Sequence, residues 1–448
     1  MKILMSATFS AFVTLLLSCC ANPPAPANSC SAPQTNRSEH SPTATLHVRF
    51  QAQSITIEQL PPDGFDFLRN VSHVTSFGVG MSSRIPSDKP HIPTLPSLRV
   101  LRLSQCSGAT IETFRSIAKL PSLEVLDPPL PKDDEMAEAC MKELANCPKL
   151  RELSRTVGKS DAALNVLPRI HTLEVVAVGA DTFAAFQNLS QCRRLRKLTV
   201  GVHERFTLDY VRILAQMPAL SELTISNSEA YAKGTLSALS ACKHLSALSV
   251  HIVGETPESD WEELATIQTL VSLDVDTDVT PEKLRHLSKL RHLRSLTLRF
   301  ADWFNDEWVD VVRQLPLEDL HFLCNRDTNT VSAGAMRRLL EMPSLRSLEI
   351  YDWHGRMQLP AELQYCNLRR LRMHERYAAW LNLLCQVTTG LIVEIPGFSA
   401  ENLKLADLTR DTRLKSIELT GGYSATDEYL EKWRALWPNV RIEPVGAS

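Results

Sequence analysis

Residues Ser97–Leu123 read SLRVLRLSQCSGATIETFRSIAKLPSL. Two patterns lie end to end in this stretch. Leu98, Leu101 and Leu103 follow the spacing L-x-x-L-x-L, whose second half alternates as a short strand with one buried face does. Phe114, Ile117 and Leu120 then recur every three residues, along one side of a helical segment. Leu123 begins the pattern again. The stretch therefore reads as strand, loop, helix and return turn.

The same unit runs outward in both directions. It recurs at Ile170/Leu173/Val175, Leu195/Leu198/Val200, Leu220/Leu223/Ile225, Leu245/Leu248/Val250 and Leu270/Leu273/Val275. It continues at Leu293/Leu296/Leu298, Leu317/Leu320/Phe322, Leu345/Leu348/Ile350, Leu368/Leu371/Met373 and Leu414/Ile417/Leu419. Weaker copies start at Val74, Leu123, Leu150, Thr388 and Trp437. Four successive steps of 25 residues separate the first positions from Ile170 to Leu270, and elsewhere the step ranges from 20 to 28. Counting back three, six and nine residues from a first position finds the helical partners, for example Cys242, Leu239 and Leu236 before Leu245. Proline often marks the return turn, as at Pro148, Pro218 and Pro343. One such unit cannot bury its apolar face alone, so neighbours must stack.

This pattern resembles the leucine-rich repeat family, in its helical variants with Cys or Pro before the next strand. The resemblance covers about residues 70–445. It implies an α/β solenoid, a horseshoe with a concave parallel sheet and helices on the convex side. The Asn that follows the strand in many family members is mostly missing, with Asn227 near that place, so other groups must satisfy those turns.

The N-terminus reads as an address. Lys2 precedes an apolar run from Ile3 to Leu17, too short for a comfortable membrane span. The run ends in Leu16-Leu17-Ser18-Cys19, which resembles the bacterial lipobox and implies diacylglyceryl transfer to Cys19. A stretch rich in Pro, Ala, Ser and Asn follows and reads as an extended tether. The expected organisation is a signal peptide at 1–18, lipid-attachment Cys and tether at 19–44, and a capping hairpin at 45–69. Repeats follow at 70–423, then a C-terminal cap at 424–448. In that cap Asp427–Trp437 reads as a helix and Val440–Ile442 as a short strand. The expected location is outside the cytoplasm and membrane-anchored through Cys19; the alternative is a secreted or periplasmic protein.

Composition narrows the function classes. With 44% hydrophobic and 22% charged residues the chain folds rather than staying disordered. A net charge of −3 lacks the basic footprint of a nucleic-acid binder. No nucleophile elbow, zinc-protease, phosphate-loop or dinucleotide motif occurs, so no catalytic residue, metal or cofactor is assigned. Among 11 cysteines, Cys147, Cys192, Cys242 and Cys385 fall three residues before a first position and read as small core residues.

Residues between the buried strand positions face the concave side. Those four after each first position form one row, running Arg102, Asp127, Ser154, Glu174, Thr199, Thr224, Ser249, Asp274, Thr297, His321, Glu349, Arg372. Those six after form a second, with His251, Asp276, Arg299, Leu323, Tyr351 and His374. His251, Asp274, Asp276, Arg299, His321, Glu349, Tyr351, Trp353, Arg372 and His374 make the richest mixture, with the aromatic, Arg and mixed polar chemistry of interface hot spots. The competing reading is a solvated face of compensating charges. Asp274-Val275-Asp276-Thr277-Asp278 resembles the start of a calcium loop but lacks its Gly and closing Glu; an acidic stripe paired with Arg299 is favoured. The basic run Lys283, Arg285, Lys289, Arg291 and Arg294 reads as a solvated helix face, with anionic lipid contact as the alternative. The function expected is a non-enzymatic scaffold of the cell envelope that binds a protein or peptide on its concave face. The alternative is a structural or glycan-contacting envelope lipoprotein, using Tyr351, Trp353 and Trp303 against sugar rings.

Overall fold

The computed structural model describes residues 48–445 with breaks between elements, chiefly 132–135, 156–163, 203–205, 228–230, 252–256, 300–303, 325–330, 353–357, 374–382, 397–415, 421–430 and 436–440. The expected signal, Cys19 and the expected tether lie outside the described residues. Within them the chain forms two compact units: residues 1–201 with 216–220, and residues 202–215 with 221–448. Each is a leucine-rich-repeat solenoid.

In the first unit, β1 (Val48–Gln51) and β2 (Ser54–Ile57) form an antiparallel hairpin. Parallel strands then add to β2 in order: β3 (Ser76–Val79), β4 (Val100–Arg102), β5 (Val125–Asp127), β6 (Glu152–Leu153) and β7 (Val175–Ala180). β8 (Lys197–Val202) pairs with β7. Ile55, Phe77, Leu101, Leu126, Leu153 and Val176 lie in register across β2 to β7, and all are buried. α1 (Ile111–Ala118) packs on α2 (Ala137–Leu144), and α3 (Phe183–Gln187) follows β7.

The second unit holds β9 (Glu222–Asn227), β10 (Ala247–His251), β11 (Ser272–Asp276), β12 (Ser295–Arg299), β13 (Asp319–Cys324), β14 (Ser347–Asp352) and β15 (Arg370–Met373). They are followed by β16 (Ile392–Pro396), β17 (Ser416–Thr420) and β18 (Arg441–Val445). All ten strands are parallel and pair in chain order. Leu223, Leu248, Leu273, Leu296, Leu320, Leu348 and Leu371 form one buried column through β9 to β15. The helices are α4 (Leu208–Leu214), α5 (Thr235–Ala238), α6 (Glu258–Leu264), α7 (Pro281–His286), α8 (Asp306–Val312) and α9 (Ala333–Leu340). Each packs against the next.

The spacing of three has a physical origin. α5 passes into a 3-10 turn at Leu239–Ala241, and α7 into one at Leu287–Lys289. Residues three apart eclipse in a 3-10 turn. Leu236, Leu239 and Cys242 therefore point one way, as do Leu284, Leu287 and Leu290, and all six are buried.

Successive repeats are tied at the strand entrance by a recurring pair of backbone hydrogen bonds. One carbonyl of the preceding repeat accepts from two consecutive N–H groups. Thr75 O takes Arg99 N and Val100 N at 2.8 and 3.0 Å. Val271 O takes Arg294 N and Ser295 N at 2.7 and 3.0 Å. Arg294 O takes Glu318 N and Asp319 N at 2.7 and 2.9 Å. Where the family's Asn would help after the strand, the Arg155 guanidinium instead donates to Ser104 O at 2.6 Å and Pro128 O at 3.1 Å.

The register corrects three expectations. Leu153 pairs with Val176, so Leu173, not Ile170, is the first position of its repeat. Ile170 occupies the buried turn site that Cys192 and Met217 fill elsewhere, and its spacing to Leu173 imitates the strand pattern. The steps on either side become 23 and 22 residues, and the run of 25 begins at Leu195. Leu371 pairs with Val393, and Ile417 with Ile442, which moves the weak copies at Thr388 and Trp437 to Gly390 and Asn439. There the first position carries no apolar side chain, so a neighbouring residue attracted the pattern. The last strand spans Arg441–Val445 rather than Val440–Ile442.

Six cysteines among the described residues, Cys106, Cys140, Cys147, Cys192, Cys242 and Cys366, are buried and in no disulfide. Cys385 lies outside the described residues. Two members of the basic run are paired: Arg285 bonds Glu307 of α8 and lies 3.5 Å from Glu282, and Arg294 lies 3.5 Å from Glu318. Arg338 and Asp310 join α9 to α8 in the same way, at 2.9 Å.

Candidate binding site on the sheet face

Alternation divides each strand of the second unit between two faces. In β11 and β12 the residues Leu273, Val275, Leu296 and Leu298 are buried toward the helices, while Asp274, Asp276, Thr297 and Arg299 stay half-exposed on the other face. Parallel register then aligns the open-face residues. Ser249, Asp274, Thr297, His321, Glu349 and Arg372 lie directly across from one another, strand by strand, from β10 to β15. His251, Asp276, Arg299, Leu323 and Tyr351 form the neighbouring row. Such neighbours lie about 4.8 Å apart.

Two hydrogen-bonded clusters hold the charges in place. Arg299 lies opposite Asp276 but turns its fork onto Asp274. Its Nε donates to Oδ1 at 3.1 Å and its Nη2 to Oδ2 at 2.9 Å. Ser249 Oγ donates to the same Oδ2 at 3.2 Å. The hydrogen bond with Asp274, more than the surrounding carboxylates Asp276 and Glu349, holds the Arg299 guanidinium above its ordinary pKa.

Glu349 lies between two donors. His321 Nδ1 donates to Oε2 at 2.8 Å, and Arg372 Nη1 lies 3.2 Å from Oε1. A carboxylate only accepts, so the imidazole proton in this bond is on Nδ1. The Glu349 side chain is 18% exposed. Burial alone would raise its pKa. The His321 hydrogen bond, with the charges of His321, Arg372 and Arg299, outweighs burial and holds the carboxyl below the usual range.

Of the ten residues expected at this site, Asp274, Arg299, His321, Glu349 and Arg372 come together in these clusters, and Asp276 lies in the adjoining row. His251 and Tyr351 are placed by their strands, but their side chains lie outside the described residues. Trp353, His374 and Trp303 lie outside them altogether. Glu174 does not belong to the row. It sits at the entrance of β7, where its carbonyl accepts from Arg196 N and Lys197 N and its carboxylate lies 3.1 Å from Arg151. Ala177 takes the row position.

The row also runs further than the sequence reading took it. Arg372 aligns with Glu394, Glu394 with Glu418, and Glu418 with Glu443. The alternation in Ile417-Glu418-Leu419 carried that signal; the slipped first positions at Thr388 and Trp437 hid it at the other two strands. Both Asp274 oxygens are engaged by Arg299, and no group of three metal-ligating side chains occurs among the described residues.

No protein-family model matches the chain, and no curated protein does. Solved structures similar to it include an internalin of Listeria monocytogenes, at 13% identity over 88% of this chain and 87% of that one, with a TM-score of 0.31. A leucine-rich-repeat protein of Leptospira interrogans is 14% identical over 86% and 93%, with a TM-score of 0.36. TLR13 in its complex with ssRNA13 is 13% identical over 82% and 71%, with a TM-score of 0.39. The fold assignment rests on this chain's own repeats and strand register.

Proposed function

We propose that this leucine-rich-repeat chain is a non-enzymatic scaffold that binds a protein or peptide across the open sheet face of its second unit. One observation carries the reading: five consecutive strands hold Asp274, Arg299, His321, Glu349 and Arg372 in fixed register as half-buried, mutually oriented donors and acceptors. A surface ordered before binding loses little side-chain entropy when a partner docks. Arginine forks and a histidine beside carboxylates give directional contacts to a polypeptide. The net charge of −3 and the row Glu394, Glu418, Glu443 disfavour nucleic acid.

The reading extends to location. The Leu16-Leu17-Ser18-Cys19 motif and the tether after it support a lipid anchor at Cys19 and work outside the cytoplasm, at the cell envelope. Metabolic labelling with a radioactive fatty acid tests that part: the label is expected on the wild type and absent from Cys19→Ser.

The binding claim is tested by capture from the native envelope, comparing wild type with the triple variant Arg299→Ala, Glu349→Ala and Arg372→Ala. A protein retained by wild type and lost by the folded variant is the expected result. Equal capture by both would refute a sheet-face site. Retention of cell-wall glycan by wild type, with no protein, would replace this reading with a glycan-contacting one.

A further inference from the structure

A cavity of about 510 Å³ opens in the first unit, at the return turns that lead into β7 and β8. It is remote in sequence from the sheet-face row, and the inference from it is independent of that reading. Its volume is within the ordinary range for small-ligand pockets, about 300–1,000 Å³. The floor is apolar, with Ile170 and Leu173 buried beneath it. Arg193 and Arg194 make the rim cationic, His171 and Ser190 line it beside them, and no carboxylate does.

The two guanidiniums are under-used. Glu174 lies 3.1 Å from Arg151 but 3.8 Å from Arg194, and 3.8 Å is outside hydrogen-bond range. Arg193 is exposed and makes no side-chain hydrogen bond or ion pair among the described residues. Arg151 and Arg194 share the single Glu174 carboxylate and Arg193 stands beside them, so three guanidiniums face one carboxylate, an excess of positive charge that a compact dianion would neutralise. A phosphate monoester suits it: its oxygens accept paired hydrogen bonds from a guanidinium fork, and its organic part covers the apolar floor.

We propose that this cavity binds a phosphate monoester. The source is a soluble phosphate ester or the head group of a phospholipid, and two probes separate them. Glycerol 3-phosphate is titrated calorimetrically into the full chain, and phosphatidic acid in phosphatidylcholine vesicles is tested by co-sedimentation. At least one probe is expected to bind wild type. Arg193→Ala with Arg194→Ala is expected to weaken that binding about tenfold or more. The double Lys variant, which keeps charge but loses the forks, should fall between. A charge-matched control, Arg212→Ala with Lys243→Ala, removes two exposed basic residues elsewhere and should stay within about twofold. Unfolding midpoints confirm that each variant is folded. Pocket-dependent binding of glycerol 3-phosphate identifies a soluble ligand; pocket-dependent binding of vesicles alone identifies a head group. Failure of both probes to bind wild type would overturn the site. So would equal weakening by the control, which would show only diffuse charge attraction.

Discussion

Arg299 and Glu349 do different work on the same face. Arg299 binds Asp274 through two parallel hydrogen bonds, a geometry that lysine cannot reproduce. Arg299→Ala should cost about 0.5–1 kcal/mol, the upper end for a half-exposed pair, and Arg299→Lys should recover little of it. Denaturant midpoints of the two variants check this. Glu349 has a depressed pKa in the folded chain, so the unfolded chain binds its proton first as pH falls. Its contribution is complete above the ordinary carboxyl pKa of 4.5 and disappears as pH falls through the lower folded value. Between about pH 5 and 3 the wild type should therefore lose more stability than Glu349→Gln, read from unfolding midpoints at each pH. Parallel curves would contradict the assignment. Cysteine makes the opposite case. Burial pushes the thiols of Cys106, Cys147 and Cys192 up to about 12 and those of Cys242 and Cys366 to about 11. Alkylation near neutral pH, mapped by mass spectrometry, should spare all five until the chain is unfolded.

At the scale of the element, each repeat contributes a strand buried on one side and a short helix with a 3-10 end. Leu296 is fully buried in the β12 column, and Leu296→Ala should cost about 2–5 kcal/mol. Asn305 caps α8, its side-chain oxygen accepting from Trp308 N at 2.9 Å, and Asn305→Ala should cost about 1 kcal/mol. Thermal or chemical unfolding of both variants would rank them in that order. Most of this architecture was legible because the buried positions are few, spaced in a fixed way and nearly always apolar. The failures have the same cause. Ile170 is an apolar turn residue three positions from Leu173, so spacing alone could not separate it from a first position. Gly390 and Asn439 hold first positions without apolar side chains, and only hydrogen-bond register locates them. The pairings on the open face were less legible. Sequence gave the alternation and the row, but Arg299 turning back to Asp274 rather than to Asp276 opposite it is a choice made in three dimensions.

For the whole molecule, the two units share one repeat and differ in what they display. The second carries an ordered polar row on its sheet, and the first a basic cavity at its strand entrances. A binding surface differs from a face of compensating charges in touching a ligand. Site-specific photo-cross-linking in the native envelope makes that contact visible. A photoreactive residue at Thr297 lies within the row, between Asp274 and His321; one at Ser288 lies exposed on the helix side. A discrete protein adduct from Thr297, absent from Ser288, is the result expected of a sheet-face scaffold. Adducts from Ser288 alone would contradict it and move the binding surface to the helices.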